Sequence, residues 1–199
     1  MTTTVLETHH EHHVDTDSID VFGFWIYIMT DCVLFATLFA AYAVLHTSTF
    51  SGPPLGQLFS LPYVLAETLF LLASSFTYGM AMLGIYKKSR NRALFWLMIT
   101  FLCGAAFIGM ELNEFFHLYA EGHSWHASSA MSAFFTLVGT HGTHVTIGLI
   151  WMMMMIVQLF KYGINGGISR RLTYLGLFWH FLDIVWIFVF TIVYLMGAI

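Results

Sequence analysis

Charge is the first thing this sequence has little of. Only 9% of its 199 residues are Asp, Glu, Lys or Arg, against roughly 25% in a soluble domain, and that excludes a water-soluble globule. Seven basic residues against eleven acidic ones leave no positive field to hold a phosphate backbone, so nucleic acid is excluded as a partner. The two cysteines, Cys32 and Cys103, lie inside apolar runs with no second cysteine at CxxC spacing. They are expected to be free buried thiols, not a zinc or dithiol site. The three prolines, Pro53, Pro54 and Pro62, all fall between the first two apolar runs, so none breaks a candidate membrane helix. No internal repeat supports the paired-half architecture of many transporters. A Ser/His/Asp nucleophile set, a glycine-rich phosphate loop and a paired-carboxylate hydrolase site are likewise missing from the pattern.

What is present is apolar length. Residues 21–45, 63–86, 93–116, 133–160 and 174–197 form five runs, each beyond the roughly 20 helical residues that cross a bilayer core. They predict an all-α, polytopic five-helix membrane bundle over 21–199. The first run is too long for a cleaved signal peptide, follows acidic instead of basic residues and holds Asp31 inside it. Residues 1–20 carry His9, His10, His12 and His13 among Glu7, Glu11, Asp15, Asp17 and Asp20, a composition expected to form a disordered tail. Adventitious metal binding is the alternative role for its histidines. All seven Lys and Arg sit between runs two and three (Lys87, Lys88, Arg90, Arg92) or four and five (Lys161, Arg170, Arg171). Both loops share one side by parity, and the positive-inside rule makes it cytoplasmic. The amino terminus is then cytoplasmic and the carboxyl terminus periplasmic.

The candidate functional residues are polar groups inside these runs. An Asp at a helix centre costs about 2.5–3.5 kcal/mol on insertion scales, against a gain of about 0.3–0.6 kcal/mol for each Leu, Ile, Phe or Val. Asp31 and Asp183 fall near mid-membrane. His180 lies three residues before Asp183 on the same helical face, and His141 and His144 stand three apart in GTHGTHV. Glu111, Glu114 and His117 form another row near the outer end of run three, and Glu67 lies about one turn inside run two, where water is expected to reach it. Three readings compete: interhelical hydrogen bonding, a proton or ion relay centred on Asp31, and metal or haem ligation by His141, His144 and His180. Two histidines three apart on one face cannot be the axial pair of one haem, and HxxH without nearby carboxylates is a weak metal signature. Met152 to Met155 present thioethers all round their helix, as filler would. Ser75 with Gly79, and Ala105 with Gly109, have the spacing of small residues at helix contacts, and Gly139 and Gly142 would let a helix approach the histidine pair. Trp25, Tyr27, Trp96 and Tyr194 are placed like interfacial anchors.

The strings FWIYIMTDCVLFATLFAAYAVL (24–45), GAAFIGMELNEFFHL (104–118), SAFFTLVGTHGTHVTIGLIW (132–151) and LFWHFLDIVWIFVFTIVYLMG (177–197) resemble subunit III of the haem-copper terminal oxidases. The similarity runs from about Phe22 to the end, and the His-rich tail and five helices point to the cytochrome bo type ubiquinol oxidase branch. The resemblance implies a noncatalytic subunit without haem, copper or a quinol site. Haem b, haem o and copper would belong to a partner subunit I, with subunits II and IV as further partners. It implies a bacterial inner membrane, bound phospholipid and support of proton uptake, with Asp31, Glu67, Glu111, Glu114, His141, His144, His180 and Asp183 as proton-related or structural buried groups. Asp31 stands where many cytochrome c oxidases carry Glu, and the two further helices of the larger relatives are absent, so lipid-cleft details carry over only in part. A cytochrome c oxidase subunit III, a small stand-alone proton or ion transporter and a dihaem cytochrome are the alternatives.

Overall fold

The computed structural model describes residues 16–46, 61–120 and 129–195. Among them are five helices and no strand: α1 (Thr16–Leu45), α2 (Leu61–Tyr86), α3 (Arg90–Ala120), α4 (Ser129–Tyr162) and α5 (Gly166–Val189). A π-helical segment, Phe190–Leu195, continues α5. Every helix is long and apolar enough to cross a membrane, as the five runs predict.

The helices outrun the apolar runs because a helix continues past the hydrocarbon zone while backbone hydrogen bonds can form. The largest difference is at α5, which starts at Gly166 and places Arg170 and Arg171 in its first turns. Helix α1 starts at Thr16, so residues 16–20, expected in the tail, are helical. The histidines of the tail lie outside the described residues. Pro62 lies in the first turn of α2, where its missing N–H breaks no intrahelical bond.

Short turns join α2 to α3 and α4 to α5. Lys88 adopts φ 52°, and its N–H bonds to the Ile85 carbonyl while that of Ser89 bonds to Gly84. This is a Schellman closure with lysine where glycine is usual. Gly163, at φ 70°, closes α4 through its N–H to the Leu159 carbonyl. Arg90 ties the two turns together, donating to the Phe160 carbonyl and lying over the Phe160 ring. All seven basic residues thus gather at one end of the bundle.

Helices α2, α3, α4 and α5 pack in a ring, each against the next and α5 against α2, while α1 docks outside on α4 and α5. The axis of the ring is filled from α5 by Trp179 and Trp186, seven residues apart and both almost fully buried. Trp179 donates to Ser74 Oγ of α2 at 3.0 Å. Its ring slots between Gly104 of α3 and Gly148 of α4, where a Cβ would lie 2.9 and 3.1 Å from ring atoms. Trp186 donates to Thr68 Oγ1 of α2 at 3.1 Å and meets Phe107 of α3 edge-on at 4.7 Å and His141 of α4 at 5.1 Å. Each indole therefore touches all three other helices of the ring. Indoles supply large buried area, and their N–H groups find partners in hydroxyls that a bilayer would leave unsatisfied.

Several small-residue expectations fail. A Cβ at Gly79 or Gly109 would meet nothing within 4 Å, and Gly109 is exposed. The close approaches occur at Gly142, as expected, and at Gly84, Gly104, Gly148 and Gly176. Cys32 is exposed and Cys103 half-buried, because these stretches of α1 and α3 turn outward and the apolar runs give no sign of which face does.

Candidate functional site

The polar residues of the spans assemble into three groups. The first joins α1 to α4 at mid-span. Asp31 Oδ1 lies 3.8 Å from His144 Nε2, beyond direct hydrogen-bond range. His144 Nδ1 donates to the Thr140 carbonyl at 2.8 Å, which fixes the ring with Nε2 toward the acid. Phe35 covers the pair from α1, its ring 5.3 Å from that of His144. His141, one turn away, is fully buried and boxed by Phe35, Phe107 and Trp186. Neither of its nitrogens has a hydrogen-bond partner among the described residues.

The second group joins α2 to α5, also at mid-span. Ser75 Oγ and His180 Nδ1 are 2.5 Å apart, and His180 Nδ1 stands 3.9 Å from Asp183 Oδ2. Asp183 is buried, whereas the His180 side chain is 47% exposed. The expectation that His180 is buried is therefore corrected: its Cα direction falls between the α1-facing and α2-facing sides of α5. The i, i+3 spacing does bring it near Asp183, as predicted.

The third group lies toward the end away from the basic turns. Glu67 of α2 and Glu111 and Glu114 of α3 are all buried, Glu67 completely. This corrects the expectation of a hydrated Glu67, which faces the interior of the ring. Glu114 Oε2 accepts from Tyr194 Oη at 3.1 Å, so Tyr194 is a core residue and not an interfacial anchor. Both carboxyl oxygens of Glu67 and of Glu111 lack hydrogen-bond partners among the described residues. Gly142 gives Glu111 its room, since a Cβ there would stand 2.6 Å from Oε1. His117, the third member of the predicted row, is exposed. Nearby, Tyr63 donates to the Met110 carbonyl at 3.1 Å and Asn113 to Tyr63 Oη at 3.3 Å.

Sequence reasoning missed the hydroxyls that serve these groups: Thr68, Ser74, Tyr78, and the pair Thr77 and Thr100, whose oxygens are 2.9 Å apart between α2 and α3. Tyr78, fully buried, donates to the Leu172 carbonyl at 2.6 Å. The signal was the density of Ser and Thr in residues 68–77, since hydroxyls inside a span are there to find partners. Among the described residues no three His, Cys, Asp or Glu side chains surround a common point as metal ligands would. Chemically the arrangement offers acids and imidazoles at ion-pair separations of 3.8 and 3.9 Å.

A family model described as cytochrome c oxidase subunit III matches residues 1–198. The chain belongs to the cytochrome c oxidase subunit III family. It is 54% identical over its whole length to cytochrome bo(3) ubiquinol oxidase subunit 3 of Pseudomonas aeruginosa, covering all of that protein too. It is 44% identical to quinol oxidase subunit 3 of Bacillus subtilis, over 94% of this chain and 92% of the relative. With cytochrome c oxidase subunit 3 of Bacillus sp. (strain PS3) it shares 42% identity, over 89% of this chain and 86% of the relative. Subunit III is a noncatalytic member of a respiratory oxidase complex, so this multi-pass membrane protein works beside other oxidase subunits.

Proposed function

We propose that the chain is subunit III of a cytochrome bo type ubiquinol oxidase in a bacterial inner membrane. The complex oxidises ubiquinol, reduces oxygen to water and moves protons outward. The observation that carries this reading is the 54% identity over the full length of both chains to a subunit of that name. Subunit I is the main partner and holds haem b, haem o and copper; subunits II and IV complete the complex, and phospholipid binds at its surfaces. The basic end faces the cytoplasm, in keeping with the positive-inside rule, which leaves the carboxyl terminus periplasmic and the residues ahead of α1 cytoplasmic.

Within this role Asp31, Glu67, Glu111, Glu114, His141, His144, His180 and Asp183 act as structural and proton-related groups. Buried acids with few partners are costly unless a neighbour or a proton offsets them. The Asp31 and His144 pair, half a membrane from either surface, suits a group that helps deliver protons to subunit I. A second reading, subunit III of a cytochrome c oxidase, is favoured by the 42% identity to such a subunit.

The test is a reduced-minus-oxidised optical spectrum of whatever co-purifies with the affinity-tagged chain in mild detergent. Haem bands with a carbon-monoxide-sensitive component are expected, in a preparation that oxidises ubiquinol. Oxidation of cytochrome c instead selects the second reading. A colourless, folded, partner-free chain overturns both and brings forward a stand-alone proton or ion transporter.

A further inference from the structure

His180 is misplaced for a lipid-facing residue. It lies fourteen residues from one end of the α5 span, Gly166–Leu195, and fifteen from the other, and its side chain is 47% exposed. An imidazole turned toward hydrocarbon at that depth has nothing to bond, and polar side chains at the centre of a span face protein or a water-filled cavity.

The surrounding face has the form of an unused helix contact. Toward α1, α5 directs Tyr174, Phe178, Phe181 and Phe188. Toward α2 it directs Trp179 and Trp186. Between them run Thr173, Leu177, His180, Ile184, Ile187 and Thr191, all exposed except half-buried Leu177. Their steps of four, three, four, three and four residues are the seam spacing of a helix that packs along another helix. Threonines at its ends and one polar group at its centre match the contacts that hold helices together in membranes.

The histidine is also pre-set. Ser75 Oγ lies 2.5 Å from His180 Nδ1, a hydrogen bond that ties one ring nitrogen to α2 and leaves Nε2 for another partner. Tyr78 meets the ring edge-on at 5.9 Å and limits its rotation. Nε2 has no partner among the described residues.

We infer that this face of α5 is covered by a transmembrane helix of another oxidase subunit, which presents a hydrogen-bonding side chain at mid-membrane to Nε2 of His180. The inference rests on the oxidase-subunit reading. A lipid chain offers no hydrogen-bonding group at that depth, whereas the side chains of a neighbouring helix do.

The experiment uses the intact oxidase, purified through a tag on this chain and checked for haem and ubiquinol oxidation. A photoreactive benzoylphenylalanine replaces Ile184, one turn from His180, and the adducts are sequenced. The expected adduct is a transmembrane peptide of another oxidase subunit. In parallel, His180→Leu should lower retention of the subunit in mild detergent several-fold, while His180→Gln, which keeps a group able to donate or accept, retains most of it. An active complex whose Ile184 adducts are lipid or peptides of this chain, or one that retains His180→Leu as well as wild type, overturns this inference alone. A chain that purifies without haem proteins overturns it together with the reading it rests on.

Discussion

Replacing Gly104 by Ala tests whether the indole of Trp179 is locked between α3 and α4. The added Cβ would stand 2.9 Å from Leu149 Cδ2 and from Trp179 Cη2 and Cζ2, well inside the 3.5–4.0 Å of a favourable carbon contact. The indole cannot retreat easily, because Gly148 bounds its other face and Ser74 holds its N–H. Overpacking of this kind costs about 1–3 kcal/mol. Ala also gains up to about 1 kcal/mol over Gly in helix propensity, so the informative quantity is a difference between two Gly→Ala changes on one helix. Gly109 of α3 is the control, since a Cβ there meets nothing within 4 Å. Gly104→Ala should therefore be less stable than Gly109→Ala by about 1–3 kcal/mol. The assay is unfolding of the purified chain in mixed micelles by increasing dodecyl sulfate. A second arm uses Trp179→Phe, which removes the two ring atoms that collide. In that background the cost of Gly104→Ala should fall by about 1 kcal/mol or more, a coupling that a double-mutant cycle resolves. Equal stability of the two alanine variants, or full additivity with Trp179→Phe, refutes the account.

The two turns at the basic end should respond in opposite directions. Gly163→Ala forces a Cβ onto φ 70° and should cost about 1–2 kcal/mol, whereas Lys88→Gly relieves φ 52° and should cost nothing or gain up to about 1 kcal/mol, both read in the same unfolding assay. Trp186→Phe removes the donor to Thr68 Oγ1, whose hydroxyl keeps its bond to the Val64 carbonyl, and should destabilise by about 1–3 kcal/mol through lost area and one lost hydrogen bond; Thr68→Val should cost less in that background than in the wild type. For the orientation, Lys161→Cys should react with a membrane-impermeant maleimide only in inside-out vesicles, with Cys32 and Cys103 silent because both lie within spans. Labelling of intact spheroplasts instead would reverse the topology.

How much of this was legible in sequence depends on what carries the signal. The five helices were, because an apolar run of more than 20 residues has few other uses. Pairs at i, i+3 were too, since His180 with Asp183 follows from helix geometry alone. Which face of each helix turns inward was not. In a soluble helix the apolar stripe marks the buried side, but here lipid-facing and core-facing residues are equally apolar. That is why Tyr194 looked like an anchor and is a core donor to Glu114, why Glu67 looked hydrated and is fully buried, and why Gly79 and Gly109 looked like contacts and are open. Gly104 and Gly148 differ from them only in what lies opposite, which is information held by α5. The pairing of Asp31 with His144 was equally hidden, because it depends on α1 docking against α4 instead of its sequence neighbour.

That docking order shapes how the protein is made. Helix α1 leaves the ribosome first, yet its partners are α4 and α5, and His144 follows Asp31 by 113 positions. At translation speeds of about 5–20 residues per second the wait is roughly 6–23 s, far longer than helices need to form. Through that interval α1 must carry a mid-membrane carboxyl without the imidazole that α4 later supplies, at a cost of about 2.5–3.5 kcal/mol in the bilayer. The apolar residues around Asp31 are what hold it in place until then. Assembly of this bundle is therefore a delayed closure, in which α1 stays unseated until α4 has been made.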